Sequence, residues 1–167
     1  MKLSVIYDSR TGNTKRCAEW IAEGMGRVAG VEAKTFSTKD VDEAFVKESA
    51  GVVIGSPSYY ALMTADMRIW LLEGAPKLSL GGKLGGAFAT VQYTHGGGDL
   101  VIQSILTNLI TIGMLCYSGG GACGDPCIHL GPVAVNHNVA KACLEAFQEN
   151  FQIFGERFAK KAKELFG

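Results

Sequence analysis

The chain opens on a short apolar stretch, Lys2 to Tyr7, with enough β-branched character for a buried strand. A loop of Ser, Thr and Gly follows. Apolar residues then return at helical spacing: Cys17, Ile21, Gly24, Met25 and Val28 share one face of a helix running from Asn13 towards Val28. Val31 to Phe36 reads as a second strand and Asp40 to Ser49 as a weak helix. The run Gly51-Val52-Val53-Ile54-Gly55 is nearly all apolar, the pattern of a strand covered on both faces. Thr64 is a plausible N-cap for a helix reaching Leu72. Lys83 to Gln92 holds a fourth strand. Asp99 to Ile112 reads as a helix with Leu100, Ile105, Leu106 and Leu109 on its apolar side. Met114 to Tyr117 begins a fifth strand, a Gly/Cys/Pro segment from Ser118 to Pro132 interrupts it, and Val133 to Val135 resumes it. The stretch from Val139 to Leu165 predicts a helix whose stripe is Val139, Cys143, Phe147, Phe151, Phe154, Phe158, Ala162 and Leu165.

Five strands alternating with helices, without linker or internal repeat, predict an α/β fold. The expected form is a doubly wound parallel sheet of five strands in the order 2-1-3-4-5, with helices on both faces. A sheet wound this way binds its ligand at the carboxyl ends of strands 1 and 3. With 167 residues, the span 1–167 reads as one domain.

Composition narrows the field. The formal net charge is zero, so no nucleic acid is expected as a partner. No apolar run approaches the ~20 residues of a membrane helix, and the first strand is too short for a secretory leader. A cytoplasmic protein with no membrane partner is the expectation. Five cysteines, an odd number, read as reduced thiols. Cys17 and Cys143 fall on apolar helix faces. Cys123 and Cys127 have three residues between them, which matches neither redox nor zinc Cys-x-x-Cys patterns. Cys116 and His129 lie close by in sequence, yet no metal is expected.

Three loops at predicted strand ends carry the candidate chemistry. The first is Ser9-Arg10-Thr11-Gly12-Asn13-Thr14. It offers three hydroxyls within six residues, a glycine for a tight turn and a helix start immediately after, which together make an anion site. No Gly-Lys-Ser/Thr follows, so a single phosphate monoester fits better than a nucleoside triphosphate with Mg²⁺. The second loop is Ser56-Pro57-Ser58-Tyr59-Tyr60-Ala61, whose two tyrosines supply flat stacking surfaces. The third is Thr90-Val91-Gln92-Tyr93-Thr94-His95-Gly96-Gly97-Gly98, whose glycines let backbone amides come close to a ring system.

The first loop resembles the phosphate signature of flavodoxins. The second loop, continuing into a helix with Met67-Arg68, is similar to the matching stretch of the WrbA family of FMN-dependent NAD(P)H:quinone oxidoreductases. The resemblance implies that FMN is the cofactor, that its phosphate lies on Ser9 to Thr14, and that its ring lies among the second and third loops. Tyr93 sits where flavodoxins keep a flavin-stacking Tyr, and His95 reads equally as a proton donor or as a solvated loop residue. The WrbA family carries a His before the Gly-Met that opens strand 5. Here Ile112 stands in its place.

Two functions follow from the resemblance. The first is an enzyme that passes electrons from NAD(P)H to a quinone or similar small acceptor, with His95 as its candidate catalytic residue, working as a homo-oligomer (a dimer or tetramer). The alternative is a flavodoxin-type electron carrier between redox partner proteins.

Overall fold

The computed structural model describes residues 1–136 and 142–167, of which the side chains of Ala142 and Cys143 are left aside. Among the described residues, six elements of strand build one parallel sheet: β1 (Lys2–Tyr7), β2 (Glu32–Ser37), β3 (Ser49–Pro57), β4 (Leu84–Val91), β5 (Leu115–Cys116) and β6 (Val133–Val135). The order is β2-β1-β3-β4-β5, as the alternation of strands and helices predicts. β6 also pairs with β4. β5 lies beside Leu84 and Gly85 at the start of β4, and β6 beside Ala89 to Val91 at its end. One edge position is thus filled by a strand in two pieces, with residues 118–132 looping out between them.

The helices among the described residues cover the faces: α1 (Asn13–Gly26), α2 (Glu43–Glu48), α3 (Ala65–Glu73), α4 (Gly98–Thr111), α5 (Ala142–Glu145) and α6 (Gln148–Phe166). Thr64 does cap α3, its hydroxyl accepting the amide N–H of Met67 at 3.2 Å. On one face α1 and α6 bury Trp20, Ile21, Phe151, Phe154 and Phe158 against Val5 and Phe88 of the sheet. On the other, α3 and α4 bury Met67, Trp70, Ile102, Ile105 and Leu109 against Ile6, Val52, Ile54 and Ala87. β3 and β4 are buried along almost their whole length, because both faces are covered.

Helices α1 and α6 meet backbone to backbone. A Cβ on Gly24 would stand 1.9 Å from the carbonyl O of Gln152, and one on Gly155 would stand 2.1 Å from that of Ile21. Two glycines facing each other's helix permit this approach and put the flanking phenylalanines deep in the core.

Some expectations shift. Leu100 is 56% exposed, because the buried stripe of α4 is Val101, Ile102, Ile105 and Leu109 and Leu100 falls one step outside it. Leu106 is only half-buried. α1 ends at Gly26, two residues before Val28. The final helix is two pieces, α5 and α6, and in its last turn Leu165 is 47% exposed, past the last buried residue Ala162. Val139 lies outside the described residues, as does the side chain of Cys143. Among the described residues, no helix is long and apolar enough to cross a membrane.

Candidate functional site

All three candidate loops leave the same edge of the sheet, the carboxyl ends of β1, β3 and β4, and together they wall a cleft of about 1080 Å³. That is the expected place for a ligand in a doubly wound sheet.

At one end lies the Ser9–Thr14 loop. The Ser9 hydroxyl accepts the N–H of Gly12 at 3.1 Å and closes the turn. Gly12 has φ 94°, a left-handed conformation that lets α1 begin at the very next residue. No side chain caps α1, and no acidic residue stands in its first turn. The helix start therefore keeps its amide donors and its positive dipole end for an anion from outside the chain. Arg10, Thr11, Asn13 and Thr14 line the cleft. Thr14 is buried, and its hydroxyl lies 2.8 Å from that of Thr90 at the end of β4, tying this end of the cleft to the third loop.

The second loop is a tight two-residue hairpin. Tyr59 and Leu62 exchange backbone bonds of 2.9 and 3.1 Å, and the turn residues Tyr60 and Ala61 have φ of 52° and 63°. Both sit in the left-handed region, the pattern of a type I′ turn, although neither is glycine. Such backbone costs on the order of 1–3 kcal/mol per residue and persists where surrounding structure enforces it. Ser58 supplies part of that: its amide donates to the carbonyl O of Thr90 at 2.8 Å and its hydroxyl to that of Gly96 at 2.6 Å. Pro57 to Ala61 all line the cleft. Ser56 does not. It is buried beneath the loop, where its hydroxyl accepts the Thr64 N–H at 3.1 Å and positions the start of α3.

From the third loop Thr90, Val91, Gln92, Tyr93, His95 and Gly96 face the cleft. Of the three glycines expected near a ring, Gly96 lines the cleft and Gly97 and Gly98 do not. A Cβ on Gly97 would meet the Ala61 methyl at 2.4 Å, and one on Gly98 would meet Val133 at 2.7 Å. These two glycines let the third loop pack on the second loop and on β6. Thr94, Ser9 and Gly12 are likewise off the wall, and the latter two shape the turn. Tyr59 is 41% exposed, Tyr93 56%, and Tyr60 stands fully in solvent. The Arg10 guanidinium lies 5.1 Å from the centre of the Tyr59 ring and links the two ends of the cleft.

Sequence reasoning missed Asn136, which joins the wall directly after β6. The signal was present, since a resumed parallel strand at Val133 to Val135 must deliver its next residue to the same edge. The missing His, by contrast, bears on no residue of this cleft. Ile112 follows the far end of α4, beside the turn in which Gly82 donates to Gly113, at the opposite edge of the sheet.

The fold and the site define an α/β protein built to hold a phosphorylated aromatic group at its strand ends. Comparison with known proteins agrees. The family model described as Flavodoxin matches residues 5–101. A flavodoxin of Clostridium saccharobutylicum is 43% identical over 166 residues, which cover 99% of this chain and all of that one. An NAD(P)H dehydrogenase (quinone) of Chromohalobacter salexigens is 28% identical over 137 residues, 68% of each chain. The solved structure of a flavodoxin from the domain Archaea superposes with a TM-score of 0.76 at 26% identity, over 98% of this chain and 99% of that one. The chain belongs to the flavodoxin family, whose cofactor is FMN. The donor set fits that group, with uncapped amides and hydroxyls for a phosphate at one end and exposed aromatic rings at the other.

Proposed function

We propose that this protein is an electron carrier that shuttles electrons between redox partner proteins, with FMN in the cleft described above. The observation that carries this reading is the relationship to a flavodoxin along the whole chain at 43% identity, against 27% along the whole chain for a quinone dehydrogenase. When bound, FMN supplies the redox chemistry. The protein's residues bind and orient it. Thr11, Asn13 and Thr14 with the first amides of α1 would hold the phosphate, Thr90, Gln92 and Asn136 would offer polar contacts along the middle, and Tyr59 and Tyr93 would lie against the ring. Tyrosines on both sides of the ring would leave little room for a nicotinamide to stack. The zero net charge, which weighs against long-range steering to a basic partner, leaves docking to short-range contacts.

The quinone oxidoreductase reading is the second one, supported by the quinone dehydrogenase relative. NAD(P)H, a small acceptor, a catalytic His95 and a homo-oligomer all belong to it. His95 is exposed on the cleft wall. One experiment separates the two. The FMN-loaded protein is mixed anaerobically with NADH and with NADPH, and the dithionite-reduced protein with cytochrome c and with benzoquinone. A carrier leaves its flavin band unbleached by either nucleotide for minutes and reduces the haem protein rapidly. Rapid bleaching by a nucleotide followed by benzoquinone turnover establishes the enzyme instead.

A further inference from the structure

The loop between β5 and β6 holds a cluster that the cofactor cleft does not use. Cys127 and His129 are both exposed, and the Cys127 sulfur lies 3.3 Å from Nε2 of His129. The backbone of Gly121 passes beneath the pair. A Cβ there would lie 3.5 Å from the sulfur and 3.8 Å from Nε2, so the glycine leaves the pair uncovered on that side. The loop is held in shape from below. The guanidinium of Arg157 on α6 donates to three successive carbonyls, those of Gly124 at 3.1 Å, Asp125 at 2.8 Å and Pro126 at 2.8 Å. A guanidinium bonded this way fixes the segment just ahead of Cys127 and brings positive charge to it.

The other described cysteines are placed differently. Cys17 is buried, and burial pushes its thiol far up. Cys116 donates weakly to the Leu106 carbonyl at 3.7 Å, and burial pushes it up too. Cys123 shares a 3.6 Å contact with the Tyr117 hydroxyl, which competes for its sulfur. Only Cys127, among the described cysteines, combines exposure with an imidazole. Among the described residues no three His, Cys, Asp or Glu groups come close enough to hold a metal.

We propose that Cys127 and His129 form a reactive thiol site that takes low-molecular-weight disulfides. Nε2 of His129 accepts the proton of the Cys127 thiol. The sulfur attacks one sulfur of the small disulfide, R–S–S–R. The R–S–S–R bond breaks, a Cys127–S–S–R bond forms, and R–S⁻ leaves and takes up the proton. Cys127 is oxidised, and half of the small disulfide is reduced to a thiol. This site is independent of the carrier reading.

The test uses the full FMN-loaded chain carrying Cys123→Ser, so that no neighbouring thiol displaces the adduct. Oxidised glutathione is the probe, at pH 7, and peptide mass mapping reads the initial rate at each cysteine. The adduct on Cys127 is expected about tenfold faster than on Cys116, and His129→Ala brings Cys127 down to the slower rate while flavin content is retained. Equal rates at the two cysteines, or an unchanged Cys127 rate in His129→Ala, overturn the proposal. Cys127→Ser, with the rapid adduct persisting, overturns it as well.

Discussion

The seam between α1 and α6 and the loop cluster at the carboxyl edge of the sheet are built on opposite terms. At the seam two glycines remove side chains so that backbones touch, and Trp20, Phe151, Phe154 and Phe158 fill the remaining space with no solvent exposure. At the loop edge side chains stay where glycine would be easier, at Tyr60 and Ala61, and large aromatics stand in water. The seam gains from burial and tight packing. The edge gives some of that up, holding strained turns with a few hydrogen bonds from Ser58 and Thr14. The contrast teaches where stability and function reside in this fold. Substitution at the seam is expected to act on folding alone, and substitution at the edge on what the cleft holds, with smaller effects on folding.

The largest expected effect breaks the seam. Gly155→Ala places a methyl 2.1 Å from the Ile21 carbonyl, with no flexible side chain to yield. Separating two packed helices costs about 3 kcal/mol. A urea titration of the apo protein should show the midpoint falling by a corresponding amount, and Gly24→Ala should behave alike. FMN affinity of the folded fraction should barely change. An unchanged midpoint would mean that the helices slide apart freely, and the contrast between the two regions would lose its basis.

Next comes the phosphate end of the edge. Thr11 lies on the cleft wall and its hydroxyl bonds to no other described residue, whereas Thr14 is buried and bonded to Thr90. Charge-assisted bonds to a phosphate are worth about 1.5–3 kcal/mol, roughly tenfold to a hundredfold in affinity. Thr11→Ala should weaken FMN by that amount and leave the apo midpoint alone. Thr14→Ala should weaken FMN and also lower apo stability by about 1 kcal/mol, since the buried Thr90 hydroxyl loses its partner. Fluorescence titration with FMN and urea melts of both variants check this split.

How far each region could be read from the sequence follows the same line. The sheet order was legible because buried strands such as Gly51 to Gly55 and capped helices such as that after Thr64 carry strong local patterns. The place of the Ser9–Thr14 loop at the cleft was legible because hydroxyls, a glycine and a helix start lie together in sequence. The roles of Gly97, Gly98 and Ser56 were not. Each is set by a residue distant in sequence: the Ala61 methyl, Val133 and the Thr64 amide. The seam glycines were equally silent, since Gly24 was visible on an apolar face but its partner Gln152 lies more than a hundred residues on. Asn136 was reachable in principle by following a resumed strand to its end.

A smaller effect sharpens the idea of strain at the edge. Ala61→Gly keeps the hairpin and relieves a left-handed residue, at the cost of greater freedom in the unfolded chain. The net gain in apo stability should be about 0.5 kcal/mol, read from the urea midpoint. A loss would show that the Ala61 methyl, which occupies the space facing Gly97, matters more than the backbone strain.

The smallest effect lies where the two regions join. Tyr117 follows β5, packs its ring 6.4 Å from that of Phe158 in the α6 layer, and shares a contact with Cys123 in the adjoining loop. Burial, reinforced by that contact, pushes its hydroxyl from 10.0 up to about 12. The folded protein therefore holds a proton that the unfolded chain releases near pH 10. Stability from this group is fully present below pH 10 and is lost as pH rises from 10 towards 12. Other buried groups, Tyr7 and Cys17 among them, are also pushed up by burial and add to the alkaline decline. Tyr117→Phe should consequently make the decline shallower without removing it, while leaving stability at pH 7 changed only by the loss of one weak contact. Thermal melts of both proteins at half-unit steps from about pH 9 to pH 12 measure the slope difference. Parallel slopes would place Tyr117 in a looser setting than the packing against Phe158 implies, and would move the boundary of the tight region inward from β5 to α6 itself.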